Sequence, residues 1–229
     1  MVIINFYLRR FYKFFQPIKS TKLMKKQIVS LTIAFAMASI LFMSCKKDED
    51  NKPQQSGEST FEDPRDGKIY KTIRIGNQTW FVENLRFTGP VEVGYINDPY
   101  GKVDSTKKYG PLYTWEAANL ACPNGWHLPS DEEWRLLEHN LEMSNSDTAM
   151  VGYSQLRGVD QKLGTRMQVG GNIGFNFVIM STEREQEVWT SSRFSATKSY
   201  IRNFTRNDFS IYRTSTEPGT ALCVRCLKD

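Results

Sequence analysis

The stretch from Thr114 to Leu141 constrains the fold more than any other part of the chain. Thr114 to Ala121 reads as one short helix, with Trp115 and Ala118 three apart on one side. Cys122-Pro123-Asn124-Gly125 ends it, since Pro cannot continue a helix and Gly-containing runs turn the chain. Ser130-Asp131-Glu132-Glu133 then has the form of a capping box, in which the Ser and the third helical residue exchange hydrogen bonds across the first turn. Trp134, Leu137 and Leu141 follow at i, i+3 and i+7, one apolar face suited to packing on a sheet. The flanks have strand character. Lys68 to Ile75 alternates, with Ile69, Ile73 and Ile75 on one face, and a two-residue Gly76-Asn77 turn joins it to Gln78–Leu85 as a hairpin. Trp80 and Phe81 read as packing residues. Residues 88–111, rich in Gly, Pro, Asn and Tyr, read as loops with short strands, and 144–172, with many Gly, Ser and Asn, read as loops. Phe175, Phe177 and Ile179 alternate, as do Val188 and Thr190 around Trp189. Tyr200–Phe204 and Phe209–Tyr212 read as strands joined by an Arg-Asn-Asp turn, and Ala221–Leu227 as the last strand. Mostly β structure with two adjacent helices is an α+β domain.

The formal charge of +5 suggests an anionic partner until it is located. Residues 1–44 hold seven Lys and Arg and no acid, leaving 23 basic against 25 acidic residues beyond them. The basic character is therefore that of a leader, and nucleic acid is not an expected partner. Met24-Lys25-Lys26-Gln27 is a basic n-region, and Ile28 to Met43 is an apolar run of 16 residues, shorter than the roughly 20 that span a bilayer. Met24 reads as the true start and residues 1–23 as an over-extended one. Leu41-Phe42-Met43-Ser44-Cys45 resembles the lipobox of bacterial lipoproteins, which implies lipid attachment at Cys45 after removal of residues 1–44. Lys46-Lys47-Asp48-Glu49-Asp50 resembles the signal that sends Bacteroidetes lipoproteins to the outer face of the outer membrane. Residues 45–60 read as a flexible tether and 61–229 as the ordered domain.

Three segments of the domain carry a resemblance. The first is Asp66-Gly67-Lys68 with Gly76-Asn77-Gln78-Thr79-Trp80-Phe81-Val82-Glu83-Asn84-Leu85. The second runs from Tyr109-Gly110-Pro111-Leu112-Tyr113 through Cys122-Pro123-Asn124-Gly125-Trp126-His127-Leu128-Pro129 to Trp134. The third is the ending Val224-Arg225-Cys226-Leu227-Lys228-Asp229. Together they resemble the Fibrobacter succinogenes major paralogous domain of secreted and lipid-anchored bacterial proteins. The middle segment is also similar to the first half of C-type-lectin-like domains. That resemblance implies a mixed β domain with two helices, and a disulfide between Cys122 and Cys226. Cys223 is then left as a thiol, with Cys122–Cys223 as the alternative pairing. A bond between Cys223 and Cys226 would distort a strand, in which residues three apart face opposite sides.

Catalytic and metal chemistry has little support in the residues. Two His and four Cys show no zinc spacing, and no phosphate-binding loop or nucleophile elbow occurs. His127 reads as a hydrogen-bonded structural residue, and His139, beside Glu138, as solvated. Glu217-Pro218-Gly219 resembles the Glu-Pro-Asn of calcium-dependent lectins, but Trp189-Thr190-Ser191-Ser192 precedes it and the Asn is missing. No metal site or cofactor is expected. Cys223 and Cys226 are the only pair that could serve as in sulfatase-modifying enzymes, and the resemblance assigns Cys226 to a disulfide. Asp104-Ser105-Thr106 and Asp147-Thr148-Ala149 fit a short O-glycosylation pattern. The expectation is a non-enzymatic, lipid-anchored cell-surface protein that binds an extracellular glycan or protein through loops 144–172 and 181–187, with Tyr95, Tyr100, Tyr109 and Tyr153 as contacts. The alternative is a structural subunit of a surface assembly.

Overall fold

The computed structural model describes residues 56–89, 95–96, 106, 109–154, 156–179 and 185–229. Cys45, the leader, most of the tether, Tyr100 and Ser105 lie outside them, as does the side chain of Tyr95. A compact unit runs from Lys52 to Asp229. Its strands are β1 (Ser56–Glu62), β2 (Ile69–Ile75), β3 (Gln78–Phe81), β4 (Tyr95–Ile96), β5 (Leu112–Tyr113), β6 (Trp126–His127), β7 (Glu185–Arg193), β8 (Ser199–Thr205), β9 (Tyr212–Thr216) and β10 (Leu227–Lys228). Its helices are α1 (Trp115–Ala121), α2 (Asp131–Asn140), α3 (Asn145–Ala149) and α4 (Leu163–Arg166). The sheets have the orders β1-β2-β3-β10-β6, β4-β5 and β7-β8-β9, with all strand pairs antiparallel. The fold is α+β.

Alternation along the strands divides the interior into two cores. Trp80 enters one core and Phe81 the other, as do Val188 and Trp189 on β7. The C-terminal segment does the same. Cys223 and Leu227 face the core of α2, whereas Leu222, Val224 and Cys226 face the core of α1. Successive strand side chains point to opposite faces, so a β layer between two helices must be apolar on both. This explains Ile69. It shares a face with Ile73 and Ile75 but is 57% exposed, because β2 buries that face only at its second half. The first half buries the opposite face through Tyr70, which stacks on Phe81 at 4.5 Å.

Both helix starts match their caps. Thr114 accepts from the Ala117 N–H, and both halves of the Ser130–Glu133 capping box are formed. Trp134, Leu137 and Leu141 are buried as their spacing predicts. The Sγ atoms of Cys122 and Cys226 are bonded, with Cα atoms 5.9 Å apart. Cys223 is a buried thiol.

Three expectations need correction, and β1 reaches back to Ser56, ahead of the expected start at Phe61. β1 is an edge strand paired with β2, and Ser59 and Thr72 share a 2.6 Å hydroxyl hydrogen bond, so polar residues suffice there. The segment 144–172 contains the short helices α3 and α4 where loops alone were expected. Phe175, Phe177 and Ile179 do not form a strand, because Asn176 adopts a left-handed φ of 50° between them and one isolated bridge, Gln168 to Phe177, is made. The strand expected at Phe209 starts at Tyr212, after a turn in which Asn207 has φ 61°.

Candidate functional site

The site rests on a buried ionic frame. Arg202 on β8 and Arg213 on β9 are directly opposite in register, an arrangement of like charges that is destabilising by itself. Helix α2 resolves it. Asp131 and Glu138 lie seven residues apart, on the same face as Trp134, and point at the two guanidiniums. Asp131 Oδ1 accepts from Arg202 Nη1 and from Arg213 Nε, each at 2.8 Å, while its Oδ2 accepts from Arg213 Nη2 at 2.6 Å. Glu138 Oε1 accepts from Arg202 Nε at 2.7 Å, and the carboxylate also pairs with Arg157. Arg157 reaches further, donating to Ile211 O at 3.1 Å. Burial would raise the Glu138 pKa, but the charges of Arg157 and Arg202 outweigh it and hold the carboxyl below its ordinary range. Asp131 is lowered in the same way, burial being outweighed by Arg213 and Arg202. The frame fixes the long segment after α2 against the β7–β9 sheet.

On the opposite face of that sheet, the side that packs on α1 at Trp189 and Ile201 continues to Glu187, Asn203 and Tyr212. Gly152 donates to Arg213 O at 2.7 Å, which lays the 150–154 segment along the β9 edge. Tyr153 then meets Tyr212 at 5.4 Å between ring centroids and stays 64% exposed. Buried Asn203 donates to Glu185 Oε2 at 2.9 Å and to Glu187 Oε1 at 3.2 Å, holding two half-exposed carboxylates in place. The Tyr153 phenol is raised by partial burial and then by the charges of Glu187 and Glu185. The Tyr212 hydroxyl donates to Asp208. The result is an exposed aromatic ring next to fixed hydrogen-bond acceptors.

A cleft of about 350 Å³ opens at the β8–β9 turn, where Arg206 and Asn207 meet Val169 and Ile179. Elsewhere, His127 bridges the second helix and Asp229. Its Nδ1 is 2.6 Å from Asp229 Oδ1 and its Nε2 3.0 Å from Glu133 Oε1. Burial would lower its pKa, but hydrogen bonds to Asp229 and then Glu133 raise it.

The structure brings Tyr153 from the 144–172 loops together with Glu185 and Glu187 from 181–187. Tyr109 is half-buried elsewhere, its carbonyl accepting from Asn84 Nδ2 at 3.2 Å. Thr148 is buried and donates to Asn145 O, so its hydroxyl is closed to glycosylation. His139 is exposed, whereas its neighbour Glu138 is fully buried. Among the described residues no three of His, Cys, Asp and Glu converge as metal ligands. No described helix is long and apolar enough to cross a membrane. The sequence reading missed the ionic frame. Its signal was present in Asp131 and Glu138 sharing the helical face of Trp134 and Leu141, where solvated acids do not belong.

No curated protein and no solved structure matches the chain. The model of one family, described as the Fibrobacter succinogenes major domain, matches residues 73–228. The match covers the whole core of α2, from Ile73 to Leu227, the core of α1 except Tyr70, and the Tyr153 surface. The chain belongs to the Fibrobacter succinogenes major domain family.

Proposed function

We propose that the chain is an exported, lipid-anchored binding protein of the outer membrane surface, which engages a glycan through the Tyr153 surface and has no catalytic role. The observation that carries this reading is the juxtaposition of the exposed Tyr153 ring with Glu185, Glu187 and Asn203. A pyranose offers an apolar C–H face and a rim of hydroxyls. An aromatic ring covers the first, and carboxylates held by a buried amide accept from the second. The surface stands on a sheet braced by buried ion pairs, so little ordering is lost on binding. Cys45 supplies the anchor, and the acidic balance beyond the leader suits a glycan better than a polyanion.

A glycan array probed with the full-length protein in lipid nanodiscs tests the site. Binding should fall about tenfold in Tyr153→Ala, the scale of losing one aromatic contact. Failure of every glycan, with capture of one protein partner instead, would favour the assembly-subunit reading. Mass spectrometry of the mature protein should show acylated Cys45 as the first residue.

A further inference from the structure

The cleft at the β8–β9 turn is chemically unlike the Tyr153 surface. Its walls are aliphatic, formed by Val169, Val178 and Ile179 over a base closed by buried Phe177. Val169 is 61% exposed, so its methyl groups gain from being covered. Arg206 carries the sole charge among the described lining residues. Its Nη2 donates to Ile179 O at 2.9 Å, which holds the guanidinium at the rim and leaves most of its N–H groups to solvent. The Gln168 amide is already committed, donating to Gly164 O and Thr205 O. Asp208, the acid nearest in the chain, accepts from the Tyr212 hydroxyl and the Ser210 N–H.

A second cation packs on Phe177. The Arg225 guanidinium is 4.1 Å from the Phe177 ring centroid. It is buried and donates to Phe81 O, Phe175 O and Asn84 Oδ1, with no carboxylate among its described hydrogen-bond partners. The described charge at the cleft is thus the positive one of Arg206 at its rim, in a chain that holds more acids than bases beyond residue 44. An open guanidinium fork matches a carboxylate in two parallel hydrogen bonds. The volume lies at the small end of ligand pockets, which begin at about 300 Å³.

We propose that this cleft is a second binding site, for a small carboxylate bearing an apolar substituent. The carboxylate pairs with Arg206 beside Asn207, and the apolar group covers Val169, Val178 and Ile179. The site is independent of the glycan reading.

N-acetyl-leucine and N-acetyl-leucinamide serve as probes, titrated by NMR into the full-length protein in nanodiscs. The acid should saturate with a Kd of about 1 mM, and the amide should bind at least about tenfold more weakly. Arg206→Gln should weaken the acid about tenfold, leave the amide unchanged and keep the thermal midpoint, since Arg206 is exposed. Tyr153→Ala should leave acid binding intact, which separates this site from the glycan surface. Equal binding of acid and amide, no saturation by about 10 mM, or an Arg206→Gln variant that binds like wild type would each overturn the proposal.

Discussion

At the residue scale, charged side chains do two different things. Glu138, Arg157 and Arg202 are buried, and removing one member strands the others, a loss of about 3–5 kcal/mol in such settings. His127 is half-exposed and titrates. Its folded pKa is raised, so its contribution is full below the ordinary value near 6.5 and is lost as pH rises through the folded value. The stability difference between wild type and His127→Gln should be greatest near about pH 6 and shrink towards about pH 9, staying within about 1 kcal/mol because the pairs are solvent-screened. Denaturant melts at several pH values check this, and a difference that does not vary with pH would sink it. The structural reading of His127 was legible from its place between Trp126 and Leu128. That of Glu138 was not, because its arginine partners arrive from 19 and 64 residues away in the chain.

At the element scale, local signals carried the β2–β3 hairpin, α1 and α2. A Gly-Asn turn, a Thr cap and a capping box each specify their element within a few residues. The 144–179 segment was illegible for the opposite reason. Its short helices satisfy too few of their own hydrogen bonds to signal themselves, and they persist by docking. Helix α4 shows this. Gly164 lies against the carbonyls of Asp208 and Ser210, closer than any Cβ could be accommodated, and its N–H donates to Phe209 O at 2.8 Å. Helix propensity alone favours Ala there by about 1 kcal/mol. Gly164→Ala should nevertheless destabilise by about 1–3 kcal/mol, because backbone must move to admit the methyl group. Chemical denaturation distinguishes the two signs. The cleft should loosen with it, since Gln168 donates to Gly164 O.

At the scale of the whole molecule, one covalent link ties α1 to the final strand across 104 residues. Removing it as the Cys122→Ala, Cys226→Ala double variant should cost about 2–4 kcal/mol. Cys223→Ser should be far milder than the double variant. Cys223 faces the α2 core while Cys226 faces the α1 core, so the sheet itself keeps the thiol from the disulfide. Thermal melts of both variants under oxidising conditions check this. A Cys223→Ser loss as large as that of the double variant would show that the thiol has a role beyond packing. The pairing was legible only through resemblance, since three nearby cysteines leave more than one connectivity open.

The last eight residues have a consequence for the order of synthesis. Leu222 to Leu227 supply side chains to both cores, and β10 is inserted between β3 and β6 rather than added at an edge. Neither core can close while that segment is still inside the ribosome. The nascent chain therefore has no closed core until residues 222–227 have emerged. The Cys122–Cys226 bond waits on the same segment, since Cys226 lies within it.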